Sequence, residues 1–170
     1  MNGASGKVLK HGEQTRTMHW IHLISFTILA LTGISFYWNI DFIAKIFGGY
    51  ATASSIHRWT GVVFTVGPAV YILLNFGRFS RFIDTISRIS KDDIGWLKCM
   101  GGYLPFIKAD HVPPQDKYNA GQKMLGWMII IGCLLVILTG MPMWLWRDAV
   151  PAVFLNLCYN VHFWTAIILI

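Results

Sequence analysis

Three of the six histidines, His19, His57 and His162, lie close to the ends of long apolar segments. An ionisable side chain at membrane depth is costly in free energy, so such a residue is by default a candidate functional group. Imidazoles placed opposite each other on neighbouring helices are suited to the two axial positions of a heme iron. The histidines therefore predict a heme-binding helix bundle, although a lone buried histidine can instead serve as a hydrogen-bond link between helices.

The direction of each apolar segment sorts these histidines by their depth in the bilayer. His19 stands at the start of the first segment. The second segment crosses the bilayer in the opposite direction, and His57 lies near its start. His162 lies early in the fourth segment, which starts from the same surface as the second. We therefore expect His57 and His162 to lie near one surface and to share a heme, with His19 about 20 Å away near the other surface. His22, one turn after His19, is the alternative ligand at that end.

Three glycines accompany the histidines. Gly33 lies nearly four turns after His19 and returns to a similar face of its helix. Gly61 lies one turn after His57, and Gly140 lies in the matching half of the third segment. A porphyrin between helices needs positions without side chains, and close packing of helices through small residues explains the same glycines equally well.

Lipid is the expected solvent for most of this chain. Of its 170 residues, 55% are hydrophobic and 13% are charged, against about 25% charged in a soluble domain. Four segments approach the length that crosses a bilayer, at about residues 18–40, 54–77, 124–146 and 150–170. The sequence thus predicts an all-α membrane protein, a four-transmembrane-helix bundle forming one domain over residues 1–170. The last segment is still apolar at Ile170, so we expect the fourth helix to be truncated there.

Lysine and arginine set the expected orientation. They are concentrated in the N-terminal tail and in residues 78–123, whereas only Lys45, Arg58 and Arg147 fall on the opposite side. Positively charged loops remain preferentially in the cytoplasm, so we expect a cytoplasmic N-terminus and a cytoplasmic loop over residues 78–123. This distribution also accounts for the net charge of +6, and we expect no nucleic-acid partner.

The long loop is expected to contain helices that lie in the membrane interface. Apolar residues recur in it at helical spacing, opposite basic ones: Phe79, Phe82, Ile83, Ile86 and Ile89. A second short helix should follow, capped by Asp92 or Asp93 and carrying Trp96. Asn119 is a candidate cap for the third spanning helix.

Several stretches resemble one family. They are residues 16–20 (RTMHW), 30–36 (ALTGISF), His57 with Gly61, residues 93–97 (DIGWL), 117–123 (KYNAGQK), and 161–162 (VH) with 166–170 (AIILI). The KYNAGQK run is the most specific of them. With these stretches, residues 16–170 resemble the cytochrome b (gamma) subunit of membrane-bound, quinone-linked formate dehydrogenase.

The resemblance implies two b-type hemes in the full-length protein. His57 and His162 would hold the periplasmic heme, whose site is complete in this chain, and His19 would hold the cytoplasmic heme with a further histidine of the fourth helix. It also implies a menaquinone or ubiquinone site at Asn119, Gly121 and Gln122.

The function implied is that of an anchor and electron carrier in the bacterial inner membrane, within an oxidoreductase complex. Its partners would be an iron-sulfur (beta) subunit and a molybdenum- or tungsten-containing catalytic (alpha) subunit, and no residue of this chain would oxidise formate. Two alternatives remain open. One is the cytochrome b subunit of a nickel-iron hydrogenase or a related quinone oxidoreductase, and the other is a heme-free membrane anchor or transporter.

Overall fold

The computed structural model describes residues 12–104, 106–107 and 111–170, and within them all regular structure is helical. In chain order the helices are α1 (Glu13–Trp38), α2 (Asp41–Ile46), α3 (Tyr50–Leu74), α4 (Phe76–Ser87), α5 (Lys91–Cys99), α6 (Ala120–Leu145) and α7 (Ala152–Leu169), with a 3-10 turn at Met100–Gly102. The predicted all-α fold is confirmed. The basic tail before residue 12 lies outside the described residues.

Four long helices, α1, α3, α6 and α7, occupy the segments that the sequence predicts to span the membrane. Three begin earlier than predicted: α1 at Glu13 rather than near residue 18, α3 at Tyr50 rather than near residue 54, and α6 at Ala120 rather than near residue 124. Polar or small residues complete their first turns. By length and hydropathy α1, α6 and α7 can each cross a bilayer, and α3 provides a fourth candidate when counted together with α4. Their apolar side chains face outward, with Leu73 77% and Val153 84% exposed, as expected for contact with lipid.

The contacts divide the chain after Leu74 into two compact units. In the first unit α1 and α3 run antiparallel, since Thr15 near the start of α1 bonds Tyr71 near the end of α3, with 2.9 Å between the two hydroxyl oxygens. The short helix α2, which the sequence reasoning missed, joins them.

Small polar residues form the buried face of α1. Ser25, Thr32 and Ser35 are each no more than 3% exposed. Their hydroxyls donate to backbone carbonyls one turn earlier in the same helix, which satisfies them in apolar surroundings. Because these side chains are small, α3 can pack close to α1.

In the second unit α6 and α7 also pack as a pair. The pairing is antiparallel, since Thr139 lies beside His162 whereas Gly132, two turns earlier, lies beside Leu169. A Cβ at Gly132 would come within 2.7 Å of Leu169 Cδ2. Gly132 is therefore a position where the two helices touch, as small residues commonly are in membrane bundles.

The connection between α3 and α6 contains the amphipathic helix that the sequence predicts. The apolar side of α4 turns to α6, where Phe82 and Ile86 lie next to Gly126, and Ile86 is 1% exposed. Arg78 and Arg81 on its other side are exposed. The predicted helix in this loop is confirmed.

The second helix of the connection, α5, is also present, but its predicted cap is wrong. Ser90, not Asp92 or Asp93, is the N-cap residue. The Ser90 hydroxyl accepts from the Asp93 backbone N–H at 3.1 Å, and the Asp93 carboxylate accepts from the Ser90 backbone N–H at 2.7 Å. This reciprocal capping box needs the serine three residues before the aspartate, so it moves the start of the helix.

Candidate heme site

His57 of α3 lies against one turn of α1. Its Nδ1 is 2.7 Å from Thr32 Oγ1, and its Cε1 is 3.5 Å from the position that a Cβ of Gly33 would take. The Phe36 ring meets the imidazole edge-on, with 5.6 Å between the ring centroids. The Thr32 hydroxyl and the Phe36 ring thus both contact the imidazole. Gly33, which has no side chain, leaves room for the ring beside α1.

His162 of α7 faces a matching Thr-Gly pair on α6. Its Nδ1 is 3.2 Å from Thr139 Oγ1, and its Cε1 is 3.2 Å from the position of a Cβ on Gly140. The carbonyl of Val136 also bonds this ring. In both units, therefore, a Thr-Gly dipeptide on one helix faces a histidine on the antiparallel neighbour.

This match is an internal repeat that the sequence reasoning missed. Both α1 and α6 are 26 residues long, and the threonine of the Thr-Gly pair is the twentieth residue of each. The histidines also stand in similar stretches, IHRWTGVV at residues 56–63 and VHFWTAII at residues 161–168. A comparison of the chain with itself at an offset of 105 to 107 residues would have revealed this repeat.

The three glycines predicted to surround a porphyrin have different roles. Gly33 and Gly140 lie directly beside imidazoles, so their lack of a side chain admits the histidine ring. At Gly61, one turn after His57, an added Cβ would meet no heavy atom within 4 Å among the described residues. Gly61 therefore makes no packing contact with the described residues of this unit.

The two histidines of α1 differ in exposure. His22 stacks on the Phe64 ring, with 4.4 Å between centroids and 24° between planes, and Phe64 is buried. His19 is exposed and lies on one face of α1 with Thr15, Arg16 and Trp20. His22 is thus engaged in packing, whereas the His19 ring is accessible.

The predicted quinone residues form the start of α6. Asn119 caps this helix as expected, and its side-chain oxygen accepts from the Gln122 N–H at 2.9 Å while Gln122 Oε1 accepts from the Asn119 N–H at 3.1 Å. Gly121 lies beneath Trp96, whose Cη2 is 2.9 Å from where a Cβ would stand. Both amide oxygens are used in the cap, which leaves amide N–H donors as the chemistry that a ligand carbonyl could meet here.

A buried ion pair adjoins this helix start, and the sequence reasoning missed it. Lys123 Nζ lies 2.6 Å from Asp93 Oδ2, with both side chains less than 10% exposed, and it also donates to the Arg88 carbonyl at 2.8 Å. Burial alone would raise the pKa of Asp93, but the hydrogen bonds from Lys123 and Ser90 outweigh it and hold the pKa of this carboxyl below its usual value. The signal in the sequence was a lysine directly preceding a long apolar run.

The chain matches the family model described as prokaryotic cytochrome b561 over residues 10–170. Three curated relatives are cytochrome b556 subunits of formate dehydrogenases. The one from Haemophilus influenzae is 28% identical over 141 residues, which are 81% of this chain and 55% of the relative.

Two further relatives come from Escherichia coli K12. The nitrate-inducible b556(Fdn) subunit is 31% identical over 132 residues, 76% of this chain and 56% of the relative. The b556(fdo) subunit is 26% identical over 138 residues, 81% of this chain and 60% of the relative. This chain therefore spans a little more than half the length of these relatives. The family match covers nearly all of the sequence and implies a b-type heme, and the chain belongs to the prokaryotic cytochrome b561 family.

Proposed function

We propose that this chain is the cytochrome b subunit of a membrane-bound formate dehydrogenase, which anchors the complex and carries electrons from formate oxidation to a quinone. The observation that carries the proposal is the repeated arrangement in which His57 and His162 each lie on a Thr-Gly pair. The three relatives are all named as formate dehydrogenase subunits, and these names support formate as the electron donor.

In this proposal His57 and His162 would together hold one heme near the periplasmic surface. The Thr-Gly pair that each histidine faces supports equal roles, and the open space at Gly61 supports a bound planar group. His19 serves a second heme near the cytoplasmic surface, together with a histidine outside these residues. Its accessible ring supports His19 over His22, which is stacked on Phe64.

The residues of the chain bind, orient and bury the cofactor. Heme, when bound, supplies reversible one-electron chemistry at its iron. The imidazoles and the apolar helices around them set its potential and exclude water. With formate oxidised on the periplasmic side, inward electron movement would add to the membrane potential, about 2.3 kcal/mol per charge per 100 mV.

The partners proposed for this complex are an iron-sulfur subunit and a molybdenum- or tungsten-containing catalytic subunit. They supply the formate-oxidising chemistry, since our assignment gives this chain only binding and conducting roles. The bacterial inner membrane is the proposed location, with the N-terminus and the connection between α3 and α6 in the cytoplasm. The basic residues of that connection support this orientation.

The proposal is tested by adding formate to membranes that contain the complete complex. We expect formate to reduce the b-type absorption band, and the catalytic and iron-sulfur subunits to co-purify with this protein. Reduction by hydrogen but not by formate would instead identify the hydrogenase alternative. Purified protein without any dithionite-reduced b-type band would contradict heme binding itself.

We further propose that the quinone binds at the start of α6, where Asn119 and Gln122 offer amide N–H donors. Gly121, which has no side chain, would let the quinone approach the helix backbone closely. Cytoplasmic water would supply the protons that quinone reduction requires. The tight contact of Gly121 with Trp96 supports a rigid site.

Gln122→Glu separates this role from helix capping. Glutamate keeps the oxygen that accepts from the Asn119 N–H, so we expect stability to be preserved. It lacks the amide donor, so we expect the KM for a quinone analogue to rise roughly two- to tenfold, the equivalent of one hydrogen bond of about 0.5–1.5 kcal/mol. Steady-state kinetics in membranes measure this effect. Gln14→Glu, on the exposed first turn of α1, is the control, and an unchanged KM in Gln122→Glu would remove this residue from the site.

A further inference from the structure

The hydroxyl protons of Thr32 and Thr139 are already used within their own helices. Thr32 Oγ1 donates to the Ile28 carbonyl at 2.7 Å, and Thr139 Oγ1 donates to the Leu135 carbonyl at 2.6 Å. A threonine hydroxyl has one proton and two acceptor lone pairs. Toward the neighbouring imidazole, therefore, each hydroxyl oxygen acts as an acceptor.

The histidine nitrogen that meets this oxygen must then be the donor. That nitrogen is Nδ1 in both rings, 2.7 Å from Thr32 in His57 and 3.2 Å from Thr139 in His162. A neutral imidazole with its proton on Nδ1 carries its lone pair on Nε2. The tautomer is thus set by the threonine, and it is the tautomer that offers Nε2 as a metal ligand.

We propose that Thr32 and Thr139 are positioning residues, which accept the Nδ1 protons of His57 and His162 and so direct Nε2 of each ring to the heme iron. This inference rests on the proposed heme function and adds two residues to it. Ligating histidines usually donate their second nitrogen to such a partner, and its loss weakens metal binding by about 10- to 100-fold.

Two features make the arrangement specific. It occurs in both units, on two separate helix pairs. In each, the glycine after the threonine lets the ring reach the hydroxyl. The Val136 carbonyl also bonds the His162 ring, so Thr139 is one of two acceptors for that histidine. Losing the hydroxyl should therefore have a larger effect at Thr32, which is fully buried.

The test uses the complete protein in its membrane complex, with Thr32→Val and Thr32→Ser variants. Valine keeps the shape and removes the acceptor, and serine keeps the acceptor. Thr27→Val is the matched control, because the Thr27 hydroxyl on the same helix donates to the Leu23 carbonyl at 2.8 Å and is exposed. Heme per protein and the midpoint potential of each heme, followed optically in a redox titration, are the two readouts.

In Thr32→Val we expect the midpoint potential of one heme to rise, because an imidazole that has lost the hydroxyl acceptor of its Nδ1 proton donates less electron density to ferric iron. A tenfold change in the equilibrium between the two oxidation states is about 59 mV for one electron, and a shift of this order is expected. Thr32→Ser and Thr27→Val should keep the wild-type potential, and Thr139→Val should shift it in the same direction by less.

The outcomes separate this inference from the heme assignment. If Thr32→Val keeps its heme at an unchanged potential, the positioning role is overturned while heme binding stands. If Thr32→Val loses heme and Thr32→Ser does not restore it, the cause is packing rather than the hydroxyl, which also overturns the inference. If His57→Ala keeps all of its heme, the heme assignment and this inference fall together.

Discussion

Replacing His57 or His162 by alanine is expected to remove one b-type heme from the complex. Each ring is proposed to supply one of two axial ligands, and the loss of a mere hydrogen-bond partner of such a ligand already weakens binding by about 10- to 100-fold. Removal of the ligand itself should therefore cost more than about 100-fold in heme affinity. Heme per protein, measured after extraction as a pyridine complex, should fall by one, and formate-driven quinone reduction should be nearly abolished.

Two features of this experiment make the result interpretable. The two single variants should lose the same heme, so that the double variant loses no more than either one. His111→Ala is the control, because His111 is exposed in the connection before α6 and its loss should leave heme content unchanged. Full heme content in either single variant, or additive losses in the double variant, would contradict the shared site.

Lys123→Met is expected to destabilise the protein by about 3–5 kcal/mol, the usual result of removing one partner of a buried ion pair. Methionine fills the volume of the lysine stem but leaves the Asp93 carboxylate, 3% exposed, without its cation. The Arg88 carbonyl loses its donor as well. Thermal unfolding of the detergent-solubilised protein should show the loss as a lower midpoint.

The second ion pair of this unit provides the control. Arg88 and Asp84 are 2.7 Å apart but their side chains are 77% and 56% exposed, and an exposed pair contributes only about 0–1 kcal/mol. Asp84→Asn should therefore have little effect. Adding Asp93→Asn to Lys123→Met should restore part of the stability, because asparagine removes the buried charge and still accepts from the Ser90 N–H.

The same pair should make stability depend on pH in one direction. The pKa of Asp93 is lowered in the folded protein, so its contribution is fully present above the unfolded value of about 3.9 and is lost as the pH falls through the lower folded value. The stability difference between wild type and Asp93→Asn should therefore be largest near neutral pH and vanish in strong acid. A difference independent of pH, or wild-type stability in Lys123→Met, would show that this pair is not a stabilising contact.

The spanning helices and the histidines could be predicted from the sequence because their signals are local. A run of about 20 apolar residues must form a helix in lipid, where every backbone group needs an internal partner. The depth of a histidine follows from its distance to the end of such a run. The amphipathic helix α4 and the cap at Asn119 are local patterns of the same kind, and both are confirmed.

The contacts that give these residues their chemistry were decided by the tertiary structure. His57 meets Thr32, 25 positions earlier, and Lys123 meets Asp93, 30 positions earlier. Such partners depend on how each helix is rotated about its axis when it packs, and neighbouring positions on one helix differ by about 100° in direction. The sequence alone thus determined the long apolar helices and the position of each histidine along its helix. Packing decided which nitrogen of each ring is held, because only antiparallel helices in contact bring the hydroxyl and the imidazole within hydrogen-bond distance.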